Sequence, residues 1–91
     1  MATVTFMFIA PEMDQEDPMF EAYIGSKMTG YSIQDCRSYG GNYMVSQCNI
    51  LKELKDYTEE DFRKFRMTLR GEYRTLSKAK EFIMECIELG V

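Results

Sequence analysis

Residues 31–50 read YSIQDCRSYGGNYMVSQCNI, two strand-like runs that meet at Gly40-Gly41. A glycine pair between two such runs is a strong hairpin signal, because glycine takes the positive φ of a tight turn without steric cost. That commits the chain to antiparallel pairing, and the remaining segments are read as further strands or as layers on the sheet. With a three-residue loop, Tyr31, Ile33 and Tyr39 share a face with Tyr43 and Val45. A two-residue loop changes that pairing, so both registers stay open at this level.

Upstream, TVTFMFIA (3–10) is rich in β-branched and aromatic residues and reads as a first strand. In PEMDQEDP (11–18) two prolines bracket Glu12, Asp14, Glu16 and Asp17, the composition of a solvated loop or of a patch that meets basic side chains on a partner. MFEAYIGSKM (19–28) is either a strand, with Phe20, Ala22 and Ile24 alternating, or a short helix before Gly25. ILKELK (50–55) reads as a turn or a helical lead-in.

Thr58, followed by Glu59, Glu60 and Asp61, is a good N-cap and predicts a helix over 58–70. Phe62, Phe65 and Leu69 then form its core stripe, and Gly71 ends it. EYRTL (72–76) reads as a short edge strand. Ser77 is the expected cap of a last helix in which Ala79, Phe82, Ile83, Cys86 and Ile87 face the core, with Gly90 at its end. The expected architecture is one α+β domain over residues 1–91, a small antiparallel sheet of three to five strands with two helices packed on one face.

An apolar share of 45% and an aromatic share of 13% fit a folded chain. No apolar run approaches the roughly 20 residues of a membrane helix, and the expectation is a soluble, cytoplasmic protein. Cys36, Cys48 and Cys86 are an odd, widely spaced set, a poor disulfide framework and one ligand short of a structural zinc site in a chain without histidine. No cofactor and no metal are expected. Without histidine, a phosphate-binding glycine loop or a nucleophile–base motif, catalysis is the weakest functional class.

Charge is the informative feature. The chain carries 11 basic and 15 acidic side chains, net −4, yet residues 62–80 hold Arg63, Lys64, Arg66, Arg70, Arg74, Lys78 and Lys80 against Glu72 alone. On a helix over 58–70, Arg63, Arg66 and Arg70 fall on one arc of about 60°. Glu59 and Glu60 stand four residues before Arg63 and Lys64, whereas Arg66 and Arg70 have no acid at helical spacing. Lys78 and Lys80 open the last helix and Glu85 and Glu88 close it, against the dipole. The pattern predicts an anion-facing ridge, with Tyr73 placed to stack on a base. A pI near 4.8 argues against a free nucleic-acid binder, leaving a small interaction or inhibitor protein first and a nucleic-acid-binding accessory protein second.

In size, in the Gly-Gly hairpin YSIQDCRSYGGNYMVSQC and in the closing EYRTLSKAKEFIMECI unit, the chain resembles small phage-encoded anti-defence proteins, the anti-CRISPR inhibitors of multisubunit surveillance complexes. These share no common fold, so no site residues carry over. The resemblance implies a stoichiometric inhibitor, acting in the cytoplasm of an infected bacterium, that occupies the target-strand path of a guide RNA–Cas protein complex and blocks DNA binding. The basic ridge would then meet guide-RNA phosphates and the acidic loop basic Cas side chains.

Overall fold

The computed structural model describes residues 3–12 and 17–90. Among these residues five strands, β1 (Val4–Ile9), β2 (Met19–Ile24), β3 (Lys27–Asp35), β4 (Tyr43–Cys48) and β5 (Met67–Tyr73), pair in chain order as an antiparallel meander. Between β4 and β5 lie a 3₁₀ turn (Leu54–Asp56) and the short helix α1 (Glu59–Lys64); α2 (Leu76–Leu89) follows β5. The α+β class and the antiparallel sheet with two helices are as expected from the sequence.

The 19–28 ambiguity resolves as a strand. Ile24 pairs with Lys27 across a two-residue turn, and Gly25 takes φ 63°, as the glycine-first hairpin turn requires. The Gly40-Gly41 hairpin is present, but its connection spans 36–42 and contains a 3₁₀ turn over Arg37–Tyr39. Neither short loop forms, and Tyr39 belongs to the turn. The face assignment of its neighbours holds, because Ile33 lies opposite Val45 and Asp35 opposite Tyr43.

Alternate residues of these strands meet α2. Ile33, Val45, Ala79 and Ile83 are completely buried, joined by Ala22, Tyr31, Tyr43 and Cys86. Each fully buried Ile or Val contributes roughly 1.5–3 kcal/mol. The helix cap is Thr75, whose hydroxyl accepts from the Lys78 amide at 3.2 Å, instead of Ser77. Gly90 ends α2 at φ 75°.

The expected helix over 58–70 is the main correction. Thr58 does cap α1, in a reciprocal box with Asp61, but the helix stops at Lys64 and Phe65 turns extended at φ −58°, ψ 131°. From Met67 onward the backbone pairs with β4. Phe62 and Leu69 are each 59% exposed, so the stripe expected to face the core does not. The layering is correspondingly asymmetric: among the described residues α2 alone supplies buried helix residues, while the 49–66 segment carrying α1 lies against the other sheet face at one end.

Candidate interaction surface

Because the 58–70 helix gives way to a strand, the seven basic residues do not form one helical ridge. Arg63 and Lys64 end α1, Arg66 precedes β5, Arg70 lies within it, Arg74 follows it, and Lys78 and Lys80 belong to α2. β5 is an edge strand. At about 3.3 Å per residue, Arg66 and Arg74 stand about 26 Å apart along that edge.

Their immediate partners differ. Lys64 pairs with Glu60 at 2.9 Å and Lys78 with Glu81 at 3.4 Å. Of the two helical pairs expected from spacing, Glu60–Lys64 forms and Glu59–Arg63 does not. Lys80 lies over the rings of Phe6 and Phe20, 5.3 and 5.6 Å from their centres. Arg66 donates to the carbonyls of Arg63 and Phe65, at 3.3 and 2.7 Å. Half-buried Arg70 turns to the α2 side, donating to Gln47 Oε1 and to the Tyr31 hydroxyl at 3.4 Å. Among the described residues, none of the four arginines Arg63, Arg66, Arg70 and Arg74 pairs with a carboxylate.

Charged side chains on an edge strand also have a structural use, since they oppose edge-to-edge pairing with another chain. That accounts for cations along β5 but not for their continuation into α1 and α2. Half-buried Tyr73 packs on Phe82, ring centres 5.5 Å apart, so it is a core-flanking ring and not a free stacking platform.

The sheet face away from α2 adds a feature that the charge pattern does not reveal. Strand alternation sends Met7, Met67 and Leu69 to this side, at 53, 52 and 59% exposure, together with Ile9 and Met44. Flexible, polarisable methionine side chains, interspersed with Glu21, Ser32 and Ser46 on the same face, suit an adaptable contact surface. The eight methionines were the available signal, and the alternation of Met19, Glu21 and Tyr23 against Phe20 and Ala22 could have separated the two faces.

At one end of this face, residues 49–66 roof a cavity of ≈ 300 Å³. Tyr23 and Glu21 rise from β2, the Tyr23 hydroxyl donating to the Glu21 carboxylate at 3.0 Å. Burial, then the bond to Glu21, pushes the Tyr23 phenol above its ordinary value. Across the cavity, burial and the Cys48 contact raise Tyr57, whose hydroxyl lies 3.8 Å from Cys48 Sγ.

In the acidic loop, Asp17 accepts from Gln34 Nε2 at 2.6 Å; Asp14 and Glu16 lie outside the described residues. Cys36, Cys48 and Cys86 are free thiols. Among the described residues no cluster of three or more His, Cys, Asp or Glu could hold a metal ion, and no helix is long and apolar enough to cross a membrane. No protein-family model, no curated protein and no solved structure matches this chain.

Proposed function

We propose that this chain is a small non-catalytic inhibitor that docks on a large anionic assembly, a CRISPR-Cas surveillance complex of guide RNA and Cas proteins in an infected bacterium, and blocks its binding to target DNA. The observation that carries the docking role is the set of guanidinium groups at Arg63, Arg66 and Arg74, exposed and, among the described residues, without carboxylate partners at the two ends of an edge strand. A planar guanidinium binds phosphate or carboxylate bidentately. Met67 and Leu69, on the strand between them, offer apolar contact area. The identity of the assembly rests on the sequence resemblance.

Arg70 bonds across to β3 and β4, and Lys64, Lys78 and Lys80 have intramolecular partners, which leaves Arg63, Arg66 and Arg74 to carry the docking charge. The net charge of −4 disfavours bulk nucleic acid; a protein–RNA complex instead offers phosphates together with basic side chains that tolerate this chain's acids.

The test is co-elution of the chain with a purified guide RNA–Cas surveillance complex, wild type against Arg63→Glu/Arg66→Glu/Arg74→Glu with the fold verified by circular dichroism. The expected result is a stable complex that blocks target DNA and is lost in the triple variant. Retention of the complex by the folded triple variant would overturn the reading. Equal binding to naked RNA would favour a nucleic-acid-binding accessory protein.

A further inference from the structure

The roofed cavity opposite α2 has its own chemistry, although it shares Met67 with the charged edge. Its ≈ 300 Å³ is at the small end of ligand clefts. Tyr23, Tyr57 and Phe65 line it, together with Met19, Met28 and Met67.

One charge in this wall is uncompensated. Lys52, at the rim, is paired with Asp61 at 2.7 Å, and Glu53 with Lys55 at 3.2 Å. Glu21 is half-buried, accepts the Tyr23 hydroxyl at 3.0 Å, and pairs with no cation among the described residues. The raised Tyr23 phenol stays protonated at neutral pH, so that donor keeps one Glu21 oxygen oriented.

A carboxylate among aromatic faces and polarisable sulfur matches a compact organic cation, whose charge is drawn both to the anion and to the negative faces of the rings. Other guests fit less well. A bare metal ion lacks a cluster of three ligands among the described residues, an anion meets Glu21, and a neutral apolar guest covers that carboxylate without replacing its water.

We propose that this cavity binds a small organic cation, an alkylammonium or quaternary ammonium group, with Glu21 as counter-charge and Tyr23, Tyr57 and Phe65 as its aromatic walls.

The test is an amide chemical-shift titration of the whole chain with choline and, in parallel, with dimethylbutanol, its neutral carbon isostere. Choline is expected to shift the Gly30, Ser32 and Cys48 amides saturably, with dimethylbutanol at least about tenfold weaker. Glu21→Gln is expected to weaken choline about tenfold while leaving the isostere unchanged, and Tyr57→Leu to weaken choline as well. No saturable response to choline, or an equal response to the two compounds, would overturn the proposal. That comparison uses the wild-type chain, so it decides the matter even if a variant fails to fold.

Discussion

Asn49 and Arg66 hold each other in both directions: the Arg66 amide donates to Asn49 Oδ1 at 2.7 Å, and the Asn49 amide donates to the Arg66 carbonyl at 3.2 Å. The same Asn49 side chain donates through Nδ2 to the Lys64 carbonyl at 2.8 Å. One residue thus satisfies the last carbonyl of α1 and the amide two residues later, where the chain turns from helix to strand. This clasp ties the end of α1 and the start of the following turn to the residue that follows β4.

Asn49→Ala is expected to cost about 1–2 kcal/mol, since it removes two side-chain hydrogen bonds and leaves a helix end uncapped. Asn49→Asp keeps the acceptor and loses the donor, so it should fall between wild type and Ala. Urea midpoints for the three proteins check the order; an Ala variant as stable as wild type would show that the clasp is dispensable.

Arginines 66 and 70 should separate cleanly by stability. Arg70→Ala removes the donor to Gln47 and Tyr31 and the guanidinium 5.8 Å from the Tyr31 ring centre, and is expected to lower stability by about 1–2 kcal/mol. Arg66→Ala, exposed and bonded through its side chain only to nearby carbonyls, should stay within about 0.5 kcal/mol. Thermal melts of both variants decide whether Arg70 belongs to the sheet or to the surface.

Two glycines with positive φ make a matched pair. At Gly30, φ 86°, an added Cβ would lie 2.6 Å from the Cys48 carbonyl oxygen, whereas at Gly25, φ 63°, nothing lies within 4 Å. Gly25→Ala should therefore cost about 1 kcal/mol of backbone strain, and Gly30→Ala that strain plus a backbone clash, about 2–3 kcal/mol. Equal denaturation midpoints for the two variants would contradict the contact at Cys48.

Acid should weaken the fold through Asp61 and Asp35. The Lys52 hydrogen bond and the Thr58 amide hold the Asp61 carboxyl below its ordinary 3.8, and the Arg37 hydrogen bond does the same to Asp35. A carboxyl that binds protons more weakly when folded contributes stability that is present above its ordinary value and lost as pH falls through the folded one. Stability from these groups should hold down to about pH 5 and decline below about pH 4. Arg37 and Lys52, the cationic partners, are solvent-exposed, so the effect is modest. Urea midpoints against pH for Asp61→Asn should show a shallower acid limb than wild type; superimposable limbs would exclude Asp61 as a contributor.

Much of the architecture is local chemistry and is legible in the sequence. The α2 stripe of Ala79, Ile83 and Cys86, the Thr58 cap with acids behind it, Gly90 as helix stop and the hairpin around Gly40-Gly41 all express interactions spanning a few residues. What tertiary structure alone decided is the fate of 65–73. Phe62, Phe65 and Leu69 fit helical spacing, and Met67 and Leu69 fit strand spacing equally well. The strand prevails because its partners are remote in the chain: Cys48 faces Met67 and Tyr43 faces Tyr73, and Asn49 ends the helix from the far side of the connection. That one outcome splits the cations into separate groups, turns Arg70 inward, and brings Phe65 and Met67 into one cavity lining with Glu21 and Tyr23, because which side chains meet across a sheet depends on a register that no short window of residues contains.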